Sequence, residues 1–383
     1  MVEKKHILML TGDWGIAYGK QNVFYEMLRG FSKHWKRVSV ICPSNEKGDV
    51  IKIHDNVYLY PSGISKFLHL DFFKHKNFIY KKALEIHNQN PFDIIAAHVI
   101  PPLFANVKAT MQLSRELGVP YVAEVMHIPG HPKANNLMER IERITLDRFI
   151  KRNTNKIDHI RLINRSDTYD YIVKRLHVPS GKILYVPAFY LDFDLFKVDE
   201  SVKRDSNKFV FCGRLEQNKG LDLLLDAMTT VVAKKPSVTL EVIGDGSMKK
   251  WLENEVASRR LSSNITLSGW LPTREDVAQV YKQSIGIVMT SYNEGGPRVT
   301  LEAMACGAIC ISTKVGIMKD IVEDGVNALF IKWDASDIAK KMLWAADNPE
   351  KVTAVARRGH HDVQQFEYDA ALKFYSEKYY EIA

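Results

Sequence analysis

The chain has 383 residues, of which 46% are apolar and 26% charged, a composition typical of a soluble globular protein with two domains. No apolar run approaches the roughly 18 residues of a membrane span, and the opening KKHILML predicts a first strand instead of a secretory signal. The formal charge of +8 is uneven, because residues 1–187 carry 28 Lys and Arg against 17 Asp and Glu. That excess fits either a generally basic surface or an anionic partner, namely nucleic acid, anionic lipid or a phosphorylated acceptor.

Short β-branched runs alternate with amphipathic helical patterns along the whole chain. The first half contains six predicted strands, at 6–10, 37–42, 93–97, 121–126, 159–163 and 183–187. The second half contains six more, at 208–212, 239–244, 264–269, 285–290, 308–312 and 327–331. Such alternation predicts parallel sheets covered by helices on both faces. Because it occurs twice, the predicted fold class is α/β, with two Rossmann-like, doubly wound domains facing each other across a cleft.

The domain boundary is predicted at 188–208, where the periodicity lapses and the charge density rises. The first domain is therefore assigned to 1–190, a linker to 191–207 and the second domain to 208–365. Ligands of such sheets bind beyond the carboxyl ends of the strands, so functional residues are expected in loops that follow strands.

Cysteines lie only within apolar runs and at spacings that match no zinc site. They are Cys42, Cys212, Cys306 and Cys310. We therefore expect buried thiols in a reducing compartment, and no structural metal.

The segment EGGPRVTLEAMACG, 294–307, follows a predicted strand and begins a helix. A glycine pair at a helix N-terminus lets a diphosphate approach unpaired N–H groups, with Pro297 expected in the first helical turn. Glu294 precedes that terminus, and Glu302 lies on the second turn. Carboxylates would repel a diphosphate, so their natural partners are hydroxyl groups. Alternatively, Glu302 is only a solvated helix residue.

A second loop, FCGRLEQNKG at 211–220, places two cations after a strand. Arg214 and Lys219 are suited to hold phosphate oxygens. The alternative is that they pair on the surface with Glu216 or Asp222. A further tight turn, IGDG, contains Gly244 between a strand and a helix.

These three segments, together with LSGW at 267–270, resemble the family 4 retaining glycosyltransferases of the GT-B fold, with their E-x7-E pattern. The resemblance implies a nucleotide-sugar donor, with Arg214 and Lys219 on the diphosphate, Glu302 on the ribose and Glu294, as a catalytic residue, on the transferred sugar. Further donor-binding residues implied by the resemblance are Gly244, Gly295, Gly296, Pro297, Arg298 and Val299. Gly-Gly-Pro replaces an aromatic-glycine pair that is commoner in the family. The last helix, 366–383, is expected to cross back onto the first domain.

The N-terminal half matches the family more loosely. The resemblance implies that His127, after VPYVAEVM, is catalytic and that Gly19 lies near the diphosphate. Asp13, Gly15 and His98 are assigned to the acceptor side, with a loop-supporting role for His98. The D-x-D sequence at Asp192 and Asp194 is interpreted as accidental, because this fold neutralises the leaving diphosphate without a metal; no cofactor is expected.

An aromatic and basic stretch at 67–82, FLHLDFFKHKNFIYKK, has the composition of a segment that meets anionic lipid headgroups. The alternative is a packed helix with a solvated basic face. The expected location is therefore cytoplasmic or peripheral on the inner face of the membrane.

Together these features predict a retaining hexosyltransferase that moves a sugar from a UDP- or GDP-sugar to a hydroxyl acceptor. Its expected context is the synthesis of glycolipid, lipid-linked sugar or cell-surface polysaccharide. The enzymatic alternative is a nucleotide-sugar 2-epimerase of the same fold, which would release UDP from UDP-GlcNAc without an acceptor. Nucleic-acid binding is not supported by any recognition motif.

Overall fold

The computed structural model describes residues 4–63 and 69–383, with side chains described outside residues 69–72. The chain divides into two compact units. Unit 1 comprises Met1–Met126, Arg140–Ala188 and Tyr368–Ala383, and unit 2 comprises His127–Glu139 and Phe189–Glu367. This division differs from the predicted boundaries, since residues 127–139, the predicted linker at 191–207 and the flanking residues 189–190 and 366–367 all belong to unit 2.

Unit 1 contains an eight-stranded sheet in the order β3-β4-β2-β1-β5-β6-β7-β8. Only the β3–β4 pair is antiparallel among these neighbours. In chain order the strands are β1 His6–Leu10, β2 Arg37–Cys42, β3 Ile51–Ile53, β4 Val57–Pro61, β5 Ile94–His98, β6 Tyr121–Val125, β7 His159–Leu162 and β8 Ile183–Tyr185. The helices that join them are α1 Val23–His34, α2 His69–Gln89, α3 Ala105–Leu117, α4 Leu137–Asn153 and a π-helix at Arg165–Arg175.

Two strands of this sheet, β3 and β4, are missing from the sequence-based prediction. β3 has three residues, none of them buried, so it lacks the apolar signal of a core strand. β4 is mostly buried but ends in Pro61, which argues against a strand when the sequence is read alone. The other six strands agree with their predicted positions to within two residues.

Unit 2 contains a six-stranded, fully parallel sheet in the order β11-β10-β9-β12-β13-β14. Its strands are β9 Asp205–Cys212, β10 Thr239–Ile243, β11 Ile265–Gly269, β12 Ser284–Met289, β13 Ile309–Thr313 and β14 Leu329–Ile331. Its helices are α5 Leu221–Lys234, α6 Lys249–Ser258, α7 Arg274–Gln283, α8 Arg298–Ala305, α9 Met318–Ile321, α10 Ala335–Asp347 and α11 Pro349–Asp362. The doubly wound prediction is confirmed for this unit.

The core of unit 2 follows from helical periodicity. Helix α5 buries Leu221, Leu224, Leu225, Met228 and Val231, the spacing that places apolar side chains on one face. That face packs on helix α10 and belongs to the same apolar cluster as Phe209 and Phe211 of β9.

The last helix, α12 Tyr368–Tyr380, packs on α1 within unit 1, as predicted. Gly30 allows the close approach, because a Cβ there would lie 2.1 Å from Leu372 Cδ1. Trp35 donates its indole N–H to Ser376 Oγ at 3.2 Å and stacks on Tyr380.

A buried charge network also ties α12 to the sheet of unit 1. Arg161 Nη1 lies 2.8 Å from Glu124 Oε1, and the hydroxyls of Tyr375 and Tyr379 donate to the same carboxylate oxygen. His98 Nε2 lies 3.1 Å from Glu124 Oε2. Burial opposes the charge on Glu124, but Arg161 and the hydrogen-bond donors outweigh it and hold the pKa of that carboxyl well below its usual range.

All four cysteines are buried free thiols, as predicted. Burial raises the pKa of Cys42, Cys212 and Cys306 to about 12 in each case. In the described part of the chain, no helix is both long and apolar enough to cross a bilayer.

The Glu124 network generates a stability prediction. Arg161→Met should lower the free energy of unfolding by about 3–5 kcal/mol, because it leaves a carboxylate buried without its cation. The matched control is Lys378→Met, which removes an exposed pair with Glu381 and should cost about 1 kcal/mol or less. Urea denaturation at pH 7 measures both.

The same network fixes the direction of a pH effect. Because the folded-state pKa of Glu124 is depressed, its stabilisation is complete above the ordinary carboxyl pKa of about 4 and declines as pH falls below it. The difference between wild type and Arg161→Met should therefore shrink in acid. Equal stability of the two variants at pH 7 would contradict this account of the network.

Candidate functional site

The strand order of unit 2 itself marks a ligand position. Counted within the unit, the order is 3-2-1-4-5-6, so the connections that leave β9 and β12 run to opposite sides of the sheet. A crevice opens at such a switch point beyond the carboxyl ends of the two strands. The loops that flank it are 213–220, after β9, and 290–297, after β12.

Backbone and side-chain hydrogen bonds join these two loops. Tyr292 donates its backbone N–H to Asn218 O at 2.8 Å, and Thr290 Oγ1 donates to Lys219 O at 2.7 Å. Lys219 Nζ forms an ion pair with Glu294 Oε1, which also accepts a 2.9 Å hydrogen bond from Ser291 Oγ. The structure thus brings together two of the predicted site residues, Lys219 and Glu294.

The alternative partners considered for the two cations are occupied elsewhere. Glu216 accepts a hydrogen bond from Ser247 Oγ at 2.5 Å, and Asp222 accepts one from the hydroxyl of Tyr292. Arg214 is exposed, and no carboxylate in the described part of the chain lies within ion-pair distance of it. Its guanidinium therefore faces solvent beside the crevice.

Helix α8 begins at Arg298, and Pro297 is its N-cap instead of a residue of its first turn. Proline offers no capping side chain, and the Thr300 N–H donates to Pro297 O at 3.0 Å. Among the described residues, the N–H groups of Arg298 and Val299 have no backbone or side-chain acceptor and are left for another one. Arg298 Nε lies 3.1 Å from Glu302 Oε1, and Arg298 Nη1 is buried without a hydrogen-bond acceptor among the described residues. A buried, unsatisfied guanidinium donor one turn from the glycine pair is a second indication of an anionic ligand.

Glu302 is a buried residue, so its interpretation as a solvated helix residue is wrong. Burial raises the pKa of its carboxyl, and Arg298 and Arg274 partly offset that effect. The guanidinium of Arg298 also stacks over Tyr190, with its Cζ 4.3 Å from the ring centroid.

Packing explains two glycines that the resemblance assigned to donor binding. Gly244 has φ 142°, and a Cβ there would lie 1.9 Å from Gly213 O. A Cβ on Gly296 would lie 2.0 Å from Phe189 Cζ. Val299 packs against the apolar core of the unit. These positions shape the crevice through their neighbours, whatever contact they make with a ligand.

His127 belongs to unit 2, in the segment that also contains Ile128 and Gly130. Protein packed around the ring lowers the pKa of His127; Arg214 and Lys219 act in the same direction, and Glu294 opposes them. His127 is nevertheless an exposed residue. The imidazole of His127 is therefore accessible to a ligand, and its pKa responds to the charges of Arg214, Lys219 and Glu294.

Sequence analysis missed the contacts that hold the segment 127–139 in unit 2. Lys133 Nζ lies 4.7 Å from the ring centroid of Tyr292 and 5.2 Å from that of Trp333. The side-chain amide of Asn293 donates to Lys133 O at 3.1 Å and to Glu139 Oε2 at 3.0 Å. No local sequence pattern predicts these hydrogen bonds, because Asn293 and Lys133 lie 160 residues apart in the chain.

The residues of unit 1 that the resemblance assigns to the acceptor side lie around the loop that follows β1. Asp13 accepts hydrogen bonds from the Ile16 backbone at 2.9 Å and from Asn22 Nδ2 at 2.8 Å. Asn22 in turn caps α1. His98 Nδ1 lies 3.3 Å from Thr11 Oγ1, so His98 joins this loop to the Glu124 network.

The glycines of that loop have simple local roles. Gly15 precedes a short 3-10 helix at Ile16–Tyr18, and Gly19 ends it with φ 72°. Among the described residues, no neighbouring atom lies within 4 Å of a Cβ built on Gly19.

The D-x-D sequence of the predicted linker forms a turn. Asp192 Oδ1 accepts hydrogen bonds from the backbone N–H groups of Asp194 and Leu195 at 3.1 and 3.3 Å. Nowhere in residues 4–63 and 69–383 do three or more His, Cys, Asp or Glu side chains group together as metal ligands would.

The aromatic and basic stretch at 67–82 falls partly outside the described residues, which exclude Phe67 and Leu68. The remainder forms the first two-thirds of α2. Phe73, Lys74 and Lys81 are exposed, whereas Lys82 forms an ion pair with Glu85 at 2.5 Å.

Comparisons with known proteins agree with this architecture. A family model described as "Glycosyl transferases group 1" matches residues 192–362. The match covers 171 of the 383 residues of the chain. A D-inositol 3-phosphate glycosyltransferase of Segniliparus rotundus is 32% identical over 170 residues, 42% of this chain and 36% of that protein. The alignments with this and two other curated relatives span 36% to 49% of the lengths of those proteins.

Solved structures extend the likeness to the whole chain. Sucrose-phosphate synthase from Thermosynechococcus elongatus superimposes with a TM-score of 0.83 and 16% identity, over 99% of both chains. Anabaena HepE, in complex with UDP and glucose, superimposes with a TM-score of 0.73 and 16% identity, over 98% of this chain and 99% of that one. At this identity the likeness shows the fold, and the predicted GT-B fold is confirmed.

Proposed function

We propose that this chain is a retaining hexosyltransferase that transfers a sugar from a UDP- or GDP-sugar to a hydroxyl acceptor. The observation that carries the proposal is the joining of the 213–220 and 290–297 loops at the switch point of a group 1 domain. That crevice combines an exposed guanidinium, a paired lysine and an uncapped helix N-terminus, which together suit a diphosphate.

The leaving diphosphate would be stabilised by positive groups that are already in place. Arg214 is available as a planar fork, and Lys219 can bridge Glu294 and a phosphate oxygen with its three N–H donors. The backbone N–H groups of Arg298 and Val299 add two further donors, and Arg298 Nη1, which has no acceptor among the described residues, adds a third. Donors fixed before the reaction stabilise charge that develops in the transition state without paying for reorganisation.

The two glutamates are proposed to bind hydroxyl groups. Glu294 is held by Lys219 and Ser291, which suits a hydrogen-bond acceptor for the transferred sugar better than a covalent nucleophile. Glu302, beneath the N-terminus of α8, is proposed to accept hydrogen bonds from the ribose. His127 is the proposed catalytic partner on the sugar, and same-face attack by the acceptor would retain the configuration.

The acceptor is proposed to carry negative charge. Residues 1–187 have an excess of 11 positive charges, which favours an anionic or phosphorylated molecule. The matched D-inositol 3-phosphate glycosyltransferase is named for a phosphorylated molecule. Asp13, Gly15 and His98, around the first loop of unit 1, are the proposed acceptor-side residues, and Gly19 there is proposed to lie near the donor. A lipid-linked phosphate at an anionic membrane surface is our preferred source of that charge, and a free sugar phosphate is the other.

A donor screen tests the proposed function. The protein is incubated with a panel of UDP- and GDP-sugars, with and without pooled acceptors, and released UDP and GDP are quantified with and without EDTA. Acceptor-dependent release that persists in EDTA supports the proposal. UDP release from UDP-GlcNAc alone, independent of acceptor, would favour a 2-epimerase, and a complete, magnesium-reversible loss in EDTA would require a metal site.

The cation assignment gives a binding prediction. Arg214→Ala and Lys219→Ala should each weaken UDP or GDP binding by about 1.5–3 kcal/mol, as for hydrogen bonds to charged groups. The control is Arg357→Ala, which removes another exposed arginine, on α11, and should leave affinity unchanged. Isothermal titration calorimetry measures all three. Unchanged affinity in both site variants would refute the assignment.

The glutamate assignments predict different kinetic effects. Glu294→Gln should lower kcat more than it lowers nucleotide affinity, because the lost interaction is with the transferred sugar. Glu302→Ala should mainly weaken donor binding. Steady-state kinetics and calorimetry on the two variants separate these effects, and the reverse pattern would exchange the two roles.

The membrane proposal concerns the exposed face of α2. Lys74→Glu/Lys81→Glu should abolish sedimentation with phosphatidylglycerol-containing vesicles, since each lysine near such a surface contributes about 1 kcal/mol. The matched control is Lys250→Glu/Lys351→Glu, an equal charge change at two exposed lysines of unit 2. Binding of wild type and control to anionic vesicles only, lost at high salt, supports the proposal. Negligible pelleting of wild type would favour a free phosphorylated acceptor.

A further inference from the structure

The segment 127–139 is anchored to the Glu294 loop by side chains that the proposed chemistry does not use. The chain leaves unit 1 after Met126, passes through unit 2, and re-enters unit 1 at Arg140. His127 is the first residue of this segment and Glu139 is the last. The position of His127 in unit 2 therefore depends on the contacts that hold the rest of the segment in that unit.

The side-chain amide of Asn293, the residue next to Glu294, makes the central hydrogen bonds that hold the segment 127–139. It is 5% exposed and donates both to Lys133 O at 3.1 Å and to Glu139 Oε2 at 3.0 Å. Its own backbone carbonyl accepts a hydrogen bond from Asn218 Nδ2 at 3.4 Å. Asn293 thus connects the segment 127–139 with both loops of the crevice.

Glu139 serves two purposes at once. Its Oε2 accepts the Asn293 amide and also the backbone N–H of Asn135 at 2.8 Å, while its own N–H donates to Asn136 Oδ1 at 2.9 Å. These hydrogen bonds fix the turn at the start of α4. They therefore hold the Glu139 carboxylate in place independently of its hydrogen bond with Asn293. Gly130 packs against this turn, because a Cβ there would lie 3.1 Å from Glu139 Cβ.

Lys133 adds a contact of a different kind. Its ammonium lies over Tyr292 and Trp333, and Trp333 Nε1 donates to Ser291 O at 2.9 Å. The residues immediately before Glu294, at 291–293, therefore all take part in holding or supporting the segment.

We infer that Asn293 and Glu139 are positioning residues, which hold the His127 segment on the Glu294 loop so that both groups address the same sugar. The inference rests on the proposed function. It adds that turnover depends on the hydrogen bond between Asn293 and Glu139, although neither residue is proposed to contact a substrate. Nucleotide binding, which relies on Arg214, Lys219 and α8, does not require this bond.

The test is Asn293→Asp, which keeps the side-chain volume but places a carboxylate against Glu139 and Lys133 O. We expect kcat to fall by about tenfold or more, the effect of losing a hydrogen bond to a charged group, with UDP or GDP affinity within about twofold of wild type. Asn293→Asp/Glu139→Gln restores a donor and an acceptor across the pair, and it should recover part of the lost turnover, because Lys133 O still faces a carboxylate. The charge control is Asn254→Asp, at an exposed position on α6.

A second readout does not depend on activity. Hydrogen–deuterium exchange of the 127–139 amides should accelerate in Asn293→Asp and return towards the wild-type rate in the double variant. Unchanged exchange or unchanged kcat in Asn293→Asp would overturn the inference, as would a double variant no better than the single one. If wild type transfers no sugar from any donor, the proposed function fails, and the exchange data alone decide whether these two residues hold the segment.

Discussion

The site depends above all on the joining of two loops at the switch point of the unit 2 sheet. The ion pair between Lys219 and Glu294 and the backbone bond from Tyr292 to Asn218 connect chain segments that are 75 and 74 residues apart. Lys219 and Glu294 have side chains only 12% and 15% exposed, so breaking this pair would leave a poorly solvated charge. The pair therefore fixes a cation beside the crevice and orients a carboxylate towards it, which neither loop could do alone.

The sequence predicted most of the fold because alternating buried strands and amphipathic helices are local patterns. Twelve strands were located, whereas β3 and β4 were missed because one is unburied and the other ends in proline. The cations and carboxylates of the site were found because they follow strands. The sequence did not explain why Gly244 and Gly296 are glycines. Only the tertiary structure shows that Gly213 O and Phe189 occupy the space that a Cβ would need at these positions.

Tertiary contacts also explain why the domain boundaries were placed differently. The segment 127–139 follows a strand of unit 1 in sequence, and its attachment to unit 2 rests on single side chains such as Asn293 and Lys133. Polar contacts between distant residues leave no periodic signal. The predicted linker at 191–207 was likewise assigned from its charge, yet it contains buried Phe196 and leads to Arg204, which donates to three backbone carbonyls.

The two carboxylates of the E-x7-E pattern lie in different environments, which explains why the pattern contains two of them at this spacing. Glu294 lies in the loop, where an ammonium and a hydroxyl hold it in one orientation. Glu302 lies on the second turn of α8, where burial raises the pKa of its carboxyl and Arg298 partly compensates. Neither group is an unpaired, solvent-facing nucleophile, and the two face different surroundings. In the proposed mechanism, a pair of this kind would accept hydrogen bonds at two places along one extended ligand, while Arg214, Lys219 and the start of α8 would stabilise the charge that leaves with the diphosphate.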